Sequence, residues 1–501
     1  MACVLQKVKK LCVWKLKEQT KKMEKDLLLT LDELIFSTKA KVVYSPSVEC
    51  AGVFSVATDS RNVKANGVFF PLLGEFQDGH KFIAKAIENG ASVIVADEKV
   101  WASDKDVYLP VVENKATVIT VENTLYALQA AAAFYVKKFP KLIKVGITGS
   151  NGKTTTKELV SSVLETKYQV IKTEGNFNSE TGLPLSVFNI RKEHEIGVFE
   201  LGMNRVDEIK ELANVLFPNF AIITNIGTAH IGILGTKDNI AKEKKNIFYN
   251  FSSECVGFVP ENDEYVNYLK DVPAGKILSY GEKSLSKVSN VRDLGLLGTS
   301  FDYENLNINL ALAGKYNFSN ALSAVALGET LGLSASEIKA GIENVKPLGD
   351  RSNIIQGDFT VVKDCYNANA DSMKAALDFY GDLEVSGKKT FVLGDMLELG
   401  SDSKALHEEI GEIVVNQKVN KVIFVGKEMT YAYSKALDIK KEKNLSVVLE
   451  SLESYEDKEI FELAKDLEKD INQGDLYFLK GSRGIKLERI ADKLSERVLK
   501  K

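Results

Sequence analysis

Short apolar runs alternate with segments of helical spacing along almost the whole chain. Before residue 114, the runs GVFFPLL (67–73) and ASVIVAD (91–97) predict strands, and residues 80–90 between them have the period of a helix. Alternating strands and helices are typical of parallel sheets that are covered by helices on both faces. The pattern therefore predicts an α/β protein whose first domain, residues 26–113, is small.

Two further blocks repeat this rhythm. The second block, residues 114–347, opens with an Ala-rich helix and ends with a helix over 315–333 whose first turn is rich in Asn. The third block, residues 348–501, predicts a Rossmann-like α/β domain. The strands predicted in these two blocks are 142–147, 196–202, 220–227, 388–395, 420–427 and 474–481. We expect three α/β domains, the central one built on a parallel sheet.

The composition excludes several classes of protein. A chain of 501 residues, 45% of them hydrophobic, is long enough for about three domains with sizeable cores. Its net charge of −4 gives no electrostatic reason to expect nucleic acid or an anionic membrane as the main partner. Five scattered cysteines without a C-x-x-C pair argue against a zinc site or a disulfide framework, and they fit the cytoplasm. No apolar run approaches the roughly 18 residues of a transmembrane segment.

A basic extension, residues 1–25, precedes the first block. Its lysines are interleaved with apolar residues such as Val4, Leu5 and Trp14, and it lacks the uninterrupted apolar run and cleavage site of a signal peptide. One interpretation is an amphipathic segment at a membrane surface. We favour the other interpretation, a dispensable extension upstream of a start near Met23.

The segment VGITGSNGKTTTKELV (145–160) combines a strand, a Gly-rich turn and a helix. Glycines let backbone N–H groups point at phosphate oxygens, and the helix N-terminus adds partial positive charge. Lys153 can reach the β- and γ-phosphates of a nucleotide, while the Thr154 hydroxyl can hold Mg²⁺. Ile147 stands where the strict G-x-x-x-x-G-K-[ST] pattern has Gly, and a surface turn is the alternative. The order strand, loop, helix favours a phosphate site.

Polar residues also follow other predicted strands of the second block. Glu200 ends VFELG, where an acid can bind Mg²⁺ or merely face solvent. His230 follows the next strand, where a histidine is more often structural. Asn176 and Asn178 offer amides to phosphate or carboxylate oxygens, although Asn serves turns equally well. Lys244 lies in AKEKKNIF, whose lysines would ordinarily form a solvated helix face.

Two loops of the third block are rich in polar residues. DCYNANADSM (364–373) places Asp364, Tyr366, Asn367 and Asn369 in one turn before a helix. LGDMLELG (393–400) brings Asp395 and Glu398 to the end of another strand. Each loop could simply connect a strand to a helix. Both nevertheless lie at strand ends of one domain, where open α/β sheets bind ligands.

Taken together, these motifs resemble the Mur ligases, the ATP-dependent amide-forming enzymes of peptidoglycan synthesis. Six motifs resemble motifs of that family and occur in the same order: TGSNGKTTT, GNFNSETGLP, FELGMN, NIGTAHIG, AKEKKNIF and KYNFSNAL. The resemblance extends over residues 28–488. DCYNANADSM and VLGDMLELG resemble the members that add a dipeptide. The family's usual Pro after YNAN is Ala370 here, and Leu73 stands where a basic residue is common, which leaves the uridine contacts of the first block open.

The resemblance implies a role for each candidate residue. Thr154 and Glu200 would hold one Mg²⁺, and His230 and a carbamylated Lys244 would hold a second. The implied contacts to ATP are Gly149, Ser150, Asn151, Gly152, Lys153, Thr154 and Thr155 with the phosphates, Asn320 with adenine, Asp364 with ribose and Arg351 with a phosphate. The implied substrate-binding residues are Asn176, Asn178, Tyr366, Asn367 and Asn369, and Lys153, Glu200, His230 and Lys244 are the implied catalytic residues.

The resemblance implies an enzyme that joins D-alanyl-D-alanine to a UDP-N-acetylmuramoyl tripeptide through an acyl phosphate. The enzyme would use ATP and two Mg²⁺ ions, and we expect it to be monomeric. Bringing a carboxylate to a triphosphate opposes like charges, each pair at 4 Å costing about 4 kcal/mol at an effective dielectric of 20. Mg²⁺ ions are therefore expected.

Two alternatives to this function stay open. One is a relative that adds a single amino acid, or adds glutamate to folate; the other is a phosphate-loop switch that does not ligate.

Overall fold

The computed structural model describes residues 27–47, 50, 52–74, 77–347 and 349–499, so the predictions about the extension 1–25 concern residues outside the described part. The strands are β1 (Leu29–Thr30), β2 (Lys41–Tyr44), β3 (Gly52–Val53), β4 (Ser55–Ala57), β5 (Gly67–Phe69), β6 (Ala91–Asp97), β7 (Thr117–Val121), β8 (Ile143–Thr148), β9 (Val170–Lys172), β10 (Ile196–Glu200), β11 (Phe220–Ile223), β12 (Val256–Pro260), β13 (Lys276–Tyr280), β14 (Val288–Asp293), β15 (Thr299–Tyr303), β16 (Leu306–Leu310), β17 (Asn353–Gln356), β18 (Thr360–Asp364), β19 (Lys389–Gly394), β20 (Lys421–Val425), β21 (Val448–Leu452) and β22 (Leu476–Lys480).

The α-helices are α1 (Leu31–Thr38), α2 (Ile83–Glu88), α3 (Glu98–Val112), α4 (Thr124–Lys137), α5 (Lys153–Glu165), α6 (Gly182–Val187), α7 (Glu208–Leu216), α8 (Ile231–Leu234), α9 (Lys237–Lys245), α10 (Val266–Lys270), α11 (Lys315–Thr330), α12 (Ala335–Asn344), α13 (Ala370–Asp382), α14 (Ser403–Val415), α15 (Met429–Lys443), α16 (Asp457–Lys469) and α17 (Glu488–Leu499). The chain divides into two compact units. The first comprises the described residues up to Leu142 with Thr173–His194 and Asn214–Phe217, and the second comprises Ile143–Lys172, Glu195–Ala213 and the described residues from Pro218 onward.

The first unit contains a five-stranded sheet in the order β2-β7-β6-β5-β4. Its strands pair in parallel except for β2, which lies antiparallel to β7 at the edge. Ile94 of β6 and Val118 of β7 pack with Trp101 and Tyr108 of α3 in one core. Because β7 spans Thr117–Val121, this sheet continues beyond residue 113, where the sequence pattern placed a boundary. The domain limits at 113 and 347 stay predictions.

The second unit is built around a six-stranded parallel sheet in the order β13-β12-β11-β8-β10-β9. Val145 and Ile147 on one face of the central strand β8 and Thr148 on the other are fully buried, as expected for a strand covered on both faces. Ile147 pairs with Glu200 of β10 and with Ile222 of β11, so the carboxyl ends of three strands meet at one edge. The loop before α5 leaves the sheet at this edge, which places Glu200 beside it.

A second six-stranded sheet occupies the C-terminal part of this unit, in the order β17-β18-β22-β19-β20-β21. Only β17 is antiparallel to its neighbour, and β22 inserts between β18 and β19. Helices α13, α14 and α15 share one buried apolar cluster, and α16 and α17 share another. Parallel sheets covered by helices confirm the α/β class predicted from the sequence.

Candidate active site

The loop 149–152 connects β8 to α5 in a conformation that requires glycine at two positions. Gly149 has φ 150° and Gly152 has φ 78°, in the region that favours glycine. A Cβ on Gly149 would overlap the Thr224 hydroxyl, and a Cβ on Gly152 would lie 2.6 Å from Oδ1 of Asn320. Asn320 therefore lies directly against the loop.

We expect Gly152→Ala to weaken ADP binding at least about tenfold, because misplacing a phosphate loop by a fraction of an ångström degrades every contact it makes. The added methyl would meet the Asn320 amide and strain a positive φ at the same time. Gly175→Ala is the matched control, because Gly175 has φ 52° but open space around its Cα. Titration calorimetry measures the ADP affinity of both variants. Equal affinities for the two variants would show that the contact with Asn320 has no role in binding.

The strand-end loop after β11 supports the phosphate loop through hydrogen bonds. The Ser150 N–H donates to the Asn225 carbonyl (3.0 Å), and the Gly227 N–H donates to Ser150 Oγ (2.8 Å). Thr224 Oγ1 and Asn225 Nδ2 both donate to the Asn151 carbonyl, at 2.5 Å and 3.1 Å. Sequence reasoning missed Thr224 and Asn225, although their place at the end of an apolar strand was the signal for them.

Lys153, the first residue of α5, turns its amine back over the loop. Its Nζ donates to the carbonyl of Gly149 at 2.8 Å and more weakly to that of Ser150 at 3.4 Å. Loss of hydration lowers the pKa of Lys153; the Glu200 carboxylate opposes this shift, and the Arg351 guanidinium adds to it. The three predicted residues Lys153, Glu200 and Arg351 are thus close enough to interact electrostatically.

Thr154 and Glu200 form a pair of oxygen donors at the edge of the sheet. Thr154 Oγ1 donates to Glu200 Oε2 at 2.9 Å, and Glu200 is only 1% exposed. A hydroxyl and a carboxylate are the hard ligands that Mg²⁺ prefers, so the donor set fits this ion. The described residues contain no group of three or more His, Cys, Asp or Glu side chains placed to hold a metal. An ion here would therefore need further oxygens, such as those of phosphates, as Mg²⁺ in nucleotide sites does.

His230 follows β11 and is the N-cap of α8, with φ 64°. Its Nδ1 lies 3.0 Å from Oε2 of Glu398, which comes from the loop after β19. Burial lowers the pKa of His230, and the contact with Glu398 partly opposes this shift. A neutral imidazole is the form that binds a metal. From the sequence alone, Glu398 could have been an ordinary residue of a connecting loop. In the structure it contacts His230, a predicted site residue.

Lys244 is buried at the end of α9, with 1% of its surface exposed. Its Nζ lies 3.9 Å from Sδ of Met203. Burial lowers the pKa of Lys244 far below its ordinary value, and the charge of Lys153 lowers it further. Lys242 is exposed, and Lys245 donates to the Tyr268 carbonyl at 2.7 Å. Of the three lysines, Lys244 alone is buried within the protein.

The polar loop after β18 makes contacts of its own. Asp364 Oδ2 accepts from Lys480 Nζ at 2.6 Å. The Tyr366 ring lies under the guanidinium of Arg351, whose Cζ is 3.7 Å from the ring centroid, and Arg483 Cζ lies 5.3 Å from it. Asn367 is exposed. Lys480, the last residue of β22, and Arg483, in the turn after it, were missed because nothing in the sequence indicates that β22 inserts beside β18.

Asn369 lies against the phosphate loop. It is the N-cap of α13, where its Oδ1 accepts from the Ser372 N–H at 3.0 Å. Its Nδ2 donates to Asn151 Oδ1 at 2.7 Å. In the first unit, the Asn178 N–H donates to the Asn176 carbonyl at 2.7 Å in an exposed turn. Substrate contacts by these three predicted residues stay predictions.

Comparisons with known proteins agree with one another. Models described as the Mur ligase family catalytic domain, the Mur ligase middle domain and the Mur ligase glutamate ligase domain match residues 53–136, 147–328 and 350–483. The UDP-N-acetylmuramoyl-tripeptide–D-alanyl-D-alanine ligase of Treponema pallidum is 40% identical over 93% of this chain and 98% of its own length.

Two solved structures are similar over most of the fold. MurF from Acinetobacter baumannii has a TM-score of 0.82 and 27% identity, and the alignment covers 94% of this chain and 100% of that one. MurF ligase from Thermotoga maritima, in complex with ADP, has a TM-score of 0.73 and 27% identity, with coverage of 89% and 98%. No helix in the described part of the chain has the length and apolar character needed to cross a membrane.

Proposed function

The chain belongs to the Mur ligase family, and we propose that it joins D-alanyl-D-alanine to a UDP-N-acetylmuramoyl tripeptide at the expense of ATP, giving the pentapeptide, ADP and phosphate. The observation that carries this proposal is the 40% identity with the Treponema pallidum ligase of that name, which extends over 93% of this chain. The alignment also covers 98% of the relative's own length, so it spans nearly the whole of both chains. The product is a precursor of peptidoglycan.

The reaction proceeds in two substitutions. A carboxylate oxygen of the tripeptide attacks the γ-phosphorus of ATP, the bond from γ-phosphorus to the β-bridging oxygen breaks, and ADP leaves. The amine of the dipeptide then attacks the acyl carbon of the acyl phosphate. The tetrahedral intermediate loses a proton and expels phosphate as the amide forms. Activation is necessary because a free carboxylate and an amine do not condense favourably in water.

The phosphate loop is proposed to hold the ATP phosphates. Backbone N–H groups of residues 149–155 and the N-terminus of α5 provide donors and positive potential. The Lys153 amine, which lies over the loop carbonyls at 2.8 Å, is well placed to pair with the transferring phosphoryl group. Because phosphoryl transfer requires positioning and charge neutralisation above all, these groups supply most of what the first step needs from the protein.

Two Mg²⁺ sites are proposed from the donor atoms present. Thr154 and Glu200 would hold one ion, and His230 with a carbamate on Lys244 would hold the other. Bound Mg²⁺ neutralises the opposing charges of carboxylate and triphosphate. The buried Lys244 amine has a strongly lowered pKa, which supports a neutral nitrogen able to attack CO₂. The new N–C bond forms as the nitrogen loses a proton, and the resulting carbamate supplies hard oxygen ligands.

The remaining predicted contacts belong to the nucleoside and the acceptor. Asn320 is proposed to contact adenine, since its amide lies against Gly152. Asp364 is proposed to bind ribose while it also pairs with Lys480. Arg351 is proposed to pair with a phosphate, which its electrostatic effect on Lys153 supports. A monomeric state and a cytoplasmic location stay predictions.

An ADP-release assay with product mass analysis tests the proposed function. We expect turnover only when a UDP-muramoyl tripeptide and D-alanyl-D-alanine are both present, and we expect the product to be heavier by the dipeptide. Parallel reactions with lysine or diaminopimelate as the third residue identify the preferred tripeptide. Ligation of a single amino acid or of glutamate to folate would identify a different member of the family. ATP hydrolysis without any acceptor would indicate a switch instead of a ligase.

A further inference from the structure

We propose that Asp371 is a positioning residue that holds the strand-end loop 224–232, and with it His230, in place for the reaction. Asp371 lies in the first turn of α13, in the part of the second unit formed by residues 349–499, here called the acceptor half. The loop 224–232 belongs to the part that precedes residue 348, here called the nucleotide half. The proposal deepens the proposed function and rests on it only in giving His230 a role in catalysis.

The Asp371 carboxylate makes two hydrogen bonds to one residue of the other half. Its Oδ2 accepts from the Thr228 N–H at 2.5 Å and from Thr228 Oγ1 at 2.7 Å. Hydrogen bonds to an ionised carboxylate are roughly twice as strong as neutral ones. A side chain 143 residues away in sequence thereby fixes the backbone two residues before His230.

Gly227 shows how closely the two halves approach at this point. A Cβ on Gly227 would lie 2.5 Å from Asp371 Oδ2 and 3.3 Å from Cβ of Ser150. The loop backbone is therefore enclosed between the phosphate loop on one side and Asp371 on the other. Since the Gly227 N–H also donates to Ser150 Oγ at 2.8 Å, a shift of this backbone would be transmitted to the phosphate loop.

The simpler explanation for an acid in the first turn of α13 is that Asp371 stabilises this helix. The hydrogen bonds argue for more than that role. The N-cap of α13 is Asn369, whose side chain accepts from the Ser372 N–H, so the helix terminus has its cap without Asp371. The Asp371 carboxylate instead bonds outward, to the N–H and hydroxyl of Thr228.

The acceptor half also holds the loop beyond His230. The Gly232 N–H donates to the Glu398 carbonyl at 3.2 Å, and a Cβ on Gly232 would lie 2.5 Å from the Gly400 nitrogen. His230 itself, with φ 64°, lies 3.0 Å from the Glu398 carboxylate. Contacts from one half thus fix the backbone on both sides of a residue with an unfavourable φ, which persists only where its surroundings enforce it.

Asp371→Ala tests the proposal, with Asp378→Ala as the matched control. Asp378 lies on the same helix, is exposed and accepts from the Gln417 side chain at 3.0 Å. We expect kcat of Asp371→Ala to fall about 10- to 100-fold, the range for losing a residue that orients a site ligand. KM for D-alanyl-D-alanine should change less than about threefold, because Asp371 bonds to the protein and not to the acceptor. Asp371→Asn, which keeps one acceptor oxygen, should recover part of kcat.

Hydrogen–deuterium exchange supplies a readout that needs no substrate. We expect peptides over 224–232 to exchange faster in Asp371→Ala than in wild type or Asp378→Ala, since the Thr228 N–H loses its acceptor. A rise in the acceptor KM with unchanged exchange would overturn the proposal and make Asp371 an acceptor-binding residue. Wild-type exchange and kcat in Asp371→Ala would also overturn it. If Asp371→Ala fails to fold, Asp371→Asn is judged by the same two measurements.

These outcomes separate this proposal from the proposed function. A wild-type protein that forms no pentapeptide refutes the proposed function whatever Asp371 does. The exchange experiment then still decides whether Asp371 holds the loop. Conversely, an active wild type with an unaffected Asp371→Ala variant refutes only the positioning role.

Discussion

Lys244→Ala is expected to be nearly inactive, with Lys242→Ala close to wild type. A protonated lysine beside Mg²⁺ would repel the ion, whereas a carbamate reverses the charge and provides oxygen ligands. Lys244 is buried and its pKa is strongly lowered, while Lys242, two residues away on α9, is exposed. The ADP-release assay measures both variants under identical conditions.

Chemical rescue distinguishes a lost ligand from a damaged fold. Truncating a buried side chain leaves a cavity and costs about 2–5 kcal/mol for residues of this size, so a fall in melting temperature by itself would not identify the role of Lys244. Formate or acetate can enter such a cavity and supply the missing carboxylate oxygens. We expect either anion, compared with chloride at equal ionic strength, to restore part of the turnover of Lys244→Ala.

Carbon-13 bicarbonate gives a direct measure of the modification. The wild-type protein should show a carbamate resonance that Lys244→Ala lacks and Lys242→Ala retains. Full activity of Lys244→Ala without any added acid would show that the modified-lysine assignment is wrong. A carbamate signal that survives in Lys244→Ala would move the modification to another lysine.

Local chemistry made the phosphate loop predictable from the sequence. Gly149, Gly152 and Lys153 lie within five residues between a strand and a helix, so spacing alone indicates the geometry. Ile147 stands where the G-x-x-x-x-G-K-[ST] pattern has Gly, and the structure gives a simple reason for this difference. Ile147 is the fifth residue of β8 and is fully buried, so the loop that needs glycine begins only after it.

Contacts between distant segments could not be predicted in the same way. The pairs Asn151–Asn369, Thr228–Asp371 and Asp364–Lys480 are separated by 218, 143 and 116 residues. Each depends on which strands become neighbours, and the insertion of β22 between β18 and β19 leaves no signature in hydrophobic spacing. The sequence also offers three nearby lysines without indicating which is buried. Only burial in the folded chain distinguishes Lys244 from the other two.

Lys153→Ala is expected to lower turnover at least about 100-fold, the scale for removing one preorganised electrostatic stabiliser. The Lys153 amine, which lies 2.8 Å from the Gly149 carbonyl, is the cation proposed to pair with the transferring phosphoryl group. Lys153→Met serves as a second variant, which keeps the apolar stem and removes the ammonium group with its charge and its hydrogen bond to the loop. Both variants should lose kcat by similar factors if charge is what matters.

Two further measurements separate a catalytic role for Lys153 from a structural one. Melting temperatures of Lys153→Ala and Lys153→Met should stay near that of wild type, because the side chain is half-buried at the end of a helix and not part of the core. The affinity for ADP, which lacks the transferring phosphoryl group, should fall much less than kcat, since an interaction made mainly in the transition state lowers kcat. A folded Lys153→Ala protein with near-normal turnover would remove Lys153 from the catalytic residues. Parallel losses in ADP affinity and kcat would instead assign it to nucleotide binding alone.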